Sequence, residues 1–212
     1  MTTDRPVLVL AAWEPELAAL RVALKDAALA RRLIARPAGV GLVEAGIGAA
    51  RAIDEVKPAA VIFVGTAGAY PGSSIAIGEA VVARRLTLAS TAALRGDGYL
   101  PSVLPTAVEA DRGLRKKLGG TSADVVCPMA ITKTRAAARR LAAAGALENL
   151  EAFAVARAAG KVPFAAVLGV SNAVGPRAHA EWRRHAGPAA AAACAVVLAW
   201  LRAPTRRPRR RG

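Results

Sequence analysis

Three polar residues stand where apolar sequence would otherwise continue, and each has chemistry to offer: Glu16, Glu151 and Asn172. Glu16 follows Pro15, which suits the first turn of a helix, and it shares a helical face with Ala19, Leu20 and Ala23. A carboxylate there has two readings. It gains from the positive end of the helix, with Glu14 as a cap, or it is a partly buried general base placed to activate water. Glu151, in ENLEAFAVARAA, shares a face with Ala154, Val155 and Ala158. An acid on that face is costly unless it accepts hydrogen bonds. A nearby Arg or backbone amide would satisfy it structurally; two adjacent sugar hydroxyls would satisfy it functionally. Asn172, in GVSNAVGP, is either a turn former or an amide that offers a donor and an acceptor to a nucleobase edge.

Glycine-rich stretches supply the backbone side of such a site. Gly65, Thr66, Ala67 and Gly68 open GTAGAYPG after an apolar run. Two glycines there let backbone amides approach a ligand, and the Thr66 hydroxyl can donate or accept; tight turns use glycines as well. Neither this stretch nor AGIG (45–48) is a nucleotide fingerprint. No GxGxxG opens a helix here, and AGIG lacks the GK[ST] ending of a phosphate loop.

Positioning these residues requires strands that end beside one another. Apolar runs at 7–10, 39–45, 59–64, 78–88, 124–127 and 164–170 read as strands. Helical patterns begin near Pro15 and occupy 49–56, 134–145, 148–160 and 179–202. Continuous apolar strands alternating with helices predict a three-layer α/β fold, helix–sheet–helix, with a mixed, largely parallel central sheet. Residues 90–118, rich in Gly, Pro and Ala, are expected to form an excursion at the sheet edge. In an open sheet of this kind, ligands bind beyond the carboxyl ends of the strands, where Glu16, the GTAG turn and Asn172 fall.

Composition narrows the class. A chain of 212 residues fits one domain, here expected over 1–203. Its 54% hydrophobic content with only 4% aromatics implies a core built from Ala and Val through extensive helix–sheet contact. No run of about eighteen uninterrupted apolar residues occurs, so no membrane span is expected. Cys127 and Cys194 lack metal-type spacing, and no metal site is expected; a reduced, cytoplasmic setting is the simpler reading. The net charge of +15 includes five arginines in the terminal TRRPRRRG. Residues 204–212 therefore read as a basic disordered tail, able to hold RNA or anionic membrane weakly. No aromatic interleaving, zinc spacing or recognition helix supports specific nucleic-acid binding.

In order, AAWEPE, EAGIGAARA, PAAVIFVGTAGAYPG, IGEAVVARRL, ENLEAFAVARA and VPFAAVLGVSNAVGPRAHAEWRRHAG resemble the nucleoside phosphorylase/nucleosidase superfamily over nearly the whole chain. The hydrolytic branch, and the futalosine hydrolase family within it, is the most similar. The resemblance implies a cofactor-free hydrolase of a purine nucleoside, assembled as a homo-oligomer. It implies Glu16 as the water-activating base, Glu151 as the ribose ligand and Leu150 as an apolar contact to the sugar where the family carries Met. Asn172 stands where adenine-specific members carry an aspartate, which points to hypoxanthine as the leaving base. Ser171 precedes it, as in the futalosine hydrolases. Gly65, Thr66, Ala67 and Gly68, with Met129, Ala130 and Ile131, are expected to line the water and base sides. Arg177, His179 and Arg183 are candidates to meet the benzoate end of futalosine. Lys133 and the Phe153–Ala154 pair depart from the family pattern. A phosphate-dependent phosphorylase, which would use Thr66 and Arg51, and a non-catalytic nucleoside-binding relative are the alternatives.

Overall fold

The computed structural model describes residues 5–203. The expected tail at 204–212 lies outside the described residues. The chain runs β1 (Val7–Ala11), a 3-10 turn (Glu14–Leu17), α1 (Ala18–Ala23), α2 (Ala27–Ala30), β2 (Leu33–Pro37), α3 (Leu42–Val56), β3 (Ala60–Ala69) and β4 (Ala80–Ala89). It continues with α4 (Thr91–Arg95), β5 (Ala107–Glu109), α5 (Arg112–Leu118), β6 (Thr121–Pro128) and α6 (Arg135–Leu141). It closes with β7 (Leu147–Glu148), α7 (Ala152–Ala159), β8 (Phe164–Ala173) and α8 (Ala178–Arg202).

Strands β2, β1, β3 and β8 lie side by side and parallel. Beyond them β4 joins β8 antiparallel and β6 joins β4 parallel. The two-residue β7 then bridges β6 back to the far end of β3. Strands β3, β8, β4, β6 and β7 therefore close a ring, with β2 and β1 extending it on one side. This is the mixed, largely parallel sheet that the apolar runs predict. Along β1 the side chains alternate between two buried layers. Leu8 and Leu10 join one with Ala45 and Ala49 of α3 and Val155 of α7; Val9 and Ala11 join the other with Leu20, Leu114 and Val197. Both faces of the sheet are covered by helices, as unbroken apolar strands require.

Three expectations fail locally. GTAG (65–68) is not a turn after a strand but lies within β3, which runs on to Ala69. Residues 39–45 are not a strand. Gly39 and Gly41 have φ of 118° and 84°, which end extended pairing, and α3 begins directly after them. The strand instead lies upstream at β2. AGIG therefore sits inside α3 rather than in a strand-end turn, and its Gly48 is pressed against the Ala38 carbonyl, where a Cβ would come within 1.8 Å. Glu151 likewise is not on a helical face: it is the residue before α7. The 90–118 excursion does contain the edge strand β5, which among the described residues pairs with β4 alone. Helix α8 has the length and hydropathy to cross a membrane, yet its Ala193, Cys194, Val197 and Leu201 are buried against the sheet.

Candidate active site

A cavity of about 400 Å³ opens beyond the carboxyl ends of β1, β3 and β8, beside β7. Glu16 reaches it from the 3-10 turn after β1, with only 8% of the residue exposed. Its Oε2 accepts from the Ala12 N–H at 3.2 Å, and its Oε1 from the Thr66 N–H at 3.0 Å. The Thr66 hydroxyl, 3.3 Å from the same Oε1, also accepts from the Trp182 indole N–H at 3.2 Å. Burial, reinforced by the nearby Glu151 charge, pushes the Glu16 carboxyl up to about 7. A carboxyl titrating there is matched to accepting a proton near neutrality.

Glu151 is 6% exposed, and its Oε1 accepts from the Gly41 N–H at 2.9 Å. Burial raises its pKa as well. The backbone amide is the structural partner the sequence allows for, and it comes from the loop leading into α3. Asn149 fixes the approach: its Oδ1 accepts from the N–H groups of Glu151 and Ala152, at 3.0 and 2.8 Å. Its Nδ2 donates to the Thr66 carbonyl at 3.0 Å. One amide thus starts α7 and ties it to β3.

Asn172 lies near the end of β8, at a β-bulge. The pairing of β3 with β8 slips between Ala67 and Gly68, so Ala67 faces Val170 and Gly68 faces Asn172, with Ser171 as the extra residue. A bulge can aim consecutive side chains to one side, and Ser171 and Asn172 both line the cavity. The Ser171 hydroxyl donates to Asn172 Oδ1 at 2.8 Å, and Asn172 Nδ2 donates to the Ala173 carbonyl at 3.1 Å. Gly68 must lack a side chain, because a Cβ there would stand 2.8 Å from Asn172 Nδ2.

Of the residues expected from sequence, Glu16, Thr66, Ala67, Gly68, Ile131, Leu150, Glu151, Ser171 and Asn172 share this cavity. Gly65 lies behind its wall, where a Cβ would stand 3.4 Å from Glu16 Oε1. Met129 and Ala130 are not part of the lining: the chain turns outward after β6, and Met129 is 76% exposed. Among Arg177, His179 and Arg183, only His179 lines the cavity; Arg177 pairs with Glu181 at the surface. Sequence reading did not single out Trp13, Trp182, Glu148 or Val40, all of which line it. Trp13 and Trp182 stack with ring centroids 6.2 Å apart, and His179 stacks on Trp182 at 5.9 Å. The tryptophans lie 169 residues apart in sequence, so nothing local announces the pair. Among the described residues, no cluster of His, Cys, Asp and Glu could hold a metal ion.

Residues 29–202 match the family model for the phosphorylase superfamily. The chain is 34% identical over 173 residues to the futalosine hydrolase of Streptomyces coelicolor, covering 69% of this chain and 73% of that one. Among solved structures it is similar to futalosine hydrolase of Helicobacter pylori, with a TM-score of 0.82 at 14% identity over 93% of this chain and 97% of that one. It is similar also to a 5'-methylthioadenosine/S-adenosylhomocysteine nucleosidase of Colwellia psychrerythraea in complex with adenine. There the TM-score is 0.81 at 20% identity, over 94% of this chain and 95% of that one. The chain belongs to the phosphorylase superfamily, in its nucleosidase branch.

Proposed function

We propose that this protein hydrolyses the N-ribosidic bond of a 6-oxopurine nucleoside, futalosine above others, and releases hypoxanthine. The observation that carries the reading is the meeting of the buried Glu16 and Glu151 carboxylates and the Asn172 amide in a single cavity. Glu151 keeps one oxygen on Gly41 and has acceptor capacity left for ribose hydroxyls, which would hold the sugar in place. Glu16, held by three donors, would take the proton of a water attacking the anomeric carbon. As that C–O bond forms, the bond to the purine nitrogen breaks through an oxocarbenium-like transition state, and its electron pair leaves with the base, which takes up a proton from solvent to become neutral hypoxanthine while Glu16 returns its proton to solvent. Asn172 has a second amide N–H beyond the one given to Ala173, and it would stabilise the charge gathering on the purine.

Two features support futalosine in particular. The curated relative at 34% identity carries that activity in its name. The stacked Trp13 and Trp182 also offer an aromatic wall suited to an aryl group at the ribose 5-position, with His179 alongside. Hydrolysis is favoured over phosphorolysis because no Arg or Lys is among the described residues of the lining, and Arg51 is exposed on α3. The test is incubation with futalosine, inosine, methylthioadenosine and S-adenosylhomocysteine, with and without phosphate, followed by chromatography of the released base. Hypoxanthine from futalosine without phosphate is the expected result; adenine release alone, or dependence on phosphate, would refute the reading.

A further inference from the structure

We propose that Glu148 reads the purine: its carboxylate accepts a hydrogen bond from the N1–H of a 6-oxopurine held in the cavity between it and Asn172. The assignment rests on the 6-oxopurine reading above and extends it to a residue that the reaction chemistry leaves unused.

Glu148 is a buried acid, 8% exposed, on a strand only two residues long. Leu147 before it is wholly buried in the core, while Glu148 lines the cavity. Both of its oxygens are held. The Tyr70 hydroxyl donates to Oε2 at 2.6 Å, and the Thr132 N–H donates to Oε1 at 3.0 Å. Tyr70 is itself buried, and burial together with the Glu148 charge raises its pKa strongly, which keeps the hydroxyl a donor. A carboxylate oxygen accepts along two lone pairs, so each oxygen retains capacity after these bonds. The group is fixed in orientation and still able to accept.

The register places it opposite Asn172. Gly68 of β3 pairs with Glu148 of β7 on one side and with Asn172 of β8 on the other. Each neighbour stands one strand spacing away, so the two flanking backbones are roughly 10 Å apart, and the Asn172 amide leans in over the glycine between them, its Nδ2 2.8 Å from where a Gly68 Cβ would stand. The cavity wall thus carries an acceptor on one side of Gly68 and an amide on the other. A 6-oxopurine fits this pattern, because its N1 carries a proton to give while O6 and N7 accept. A 6-aminopurine has an unprotonated N1, whose lone pair would face the carboxylate.

The alternative is that Glu148 only anchors Tyr70 and Thr132. Glu148→Gln and Tyr70→Phe separate the two, read on binding of free hypoxanthine and adenine by calorimetry and on kcat/KM for futalosine and its 6-amino counterpart. Glu148→Gln is expected to weaken hypoxanthine binding by about 10- to 100-fold, the range for a hydrogen bond to a charged group. Adenine binding should hold or improve, because a glutamine amide can donate to its N1. The kcat/KM ratio of 6-oxo to 6-amino substrate should fall by a similar factor. Tyr70→Phe should change both bases alike, leaving the ratio within about threefold. Equal losses for both bases in Glu148→Gln, or no loss for hypoxanthine, would overturn the assignment. Base binding that follows the expectation in a protein that does not cleave futalosine would leave the assignment standing and refute the proposed reaction.

Discussion

The side chain of Asn149 donates to the main-chain carbonyl of Thr66 at 3.0 Å, and each of these two residues also hydrogen-bonds one of the two acidic residues, Thr66 at the Glu16 carboxylate and Asn149 at the Glu151 main chain. Thr66 gives its N–H to Glu16, and Asn149 accepts the N–H of Glu151. The spacing of the two acids is therefore set by a chain of four hydrogen-bonded residues from three separate parts of the sequence. Asn149→Ala would strand the Thr66 carbonyl and the N–H groups of Glu151 and Ala152. A stability loss of about 1–3 kcal/mol is expected in urea denaturation. A fall in kcat of at least about tenfold should accompany it as the acids lose their spacing. Asn149→Asp keeps the acceptor toward α7 but not the donor to Thr66; it should recover stability more than kcat.

The raised Glu16 pKa gives a pH signature. The base form is populated as pH rises through about 7, so kcat/KM should climb between pH 6 and 8 along a single acid limb. Burial is the larger cause and the Glu151 charge the second. Glu151→Gln should therefore lower the midpoint of the limb measured on the residual activity. Stability follows the opposite course. A carboxyl whose folded pKa is raised from 4.5 to about 7 binds more protons in the folded state between those values. Its contribution is fully present below the lower value and is lost as pH rises through the higher one. The amount is on the order of 3 kcal/mol. Glu16→Gln should flatten the fall in melting temperature between pH 4.5 and 7.

The tryptophan wall predicts a split between substrates. Trp182→Ala removes both the stack on Trp13 and the indole N–H that holds the Thr66 hydroxyl. Trp13→Ala removes only the stack. Trp13→Ala should raise KM for futalosine by about 5- to 10-fold, matching roughly 1 kcal/mol of aromatic contact, and leave inosine nearly unchanged. Trp182→Ala should lower kcat for both, because Thr66 contacts Glu16 directly.

Two glycines in one helix give a packing test. A Cβ at Gly48 would stand 1.8 Å from the Ala38 carbonyl oxygen, a backbone atom that cannot swing aside. A Cβ at Gly46 would meet only the Ala154 Cβ, at 3.6 Å. Gly48→Ala should destabilise by at least about 2 kcal/mol in thermal or urea unfolding. Gly46→Ala should be neutral or stabilise by up to about 1 kcal/mol through its helix propensity.

Much of the site is legible in the sequence because strand ends are legible. Apolar runs of four or more residues mark β1, β3 and β8, and the polar residues just past them or at their ends include Glu16, Thr66 and Asn172. The region between β1 and β3 is harder. LIARP is only five residues long and ends in Arg and Pro, while alanine and glycine dominate GVGLVEAGIGAARA, so side-chain pattern does not distinguish strand from helix there. Glycine φ angles decide the boundary there. Glu148 was hidden for another reason. Its two-residue strand is too short to leave a period, and its partners Tyr70 and Thr132 come from distant segments.

The most direct test of the central claim is the rate of hypoxanthine release from futalosine by Glu16→Gln beside wild type, at pH 8 in phosphate-free buffer. Circular dichroism would confirm that the variant is folded. If Glu16 takes the proton from the attacking water, kcat falls by about 100- to 10,000-fold while KM moves little. A variant that releases hypoxanthine within tenfold of the wild-type rate would contradict the account.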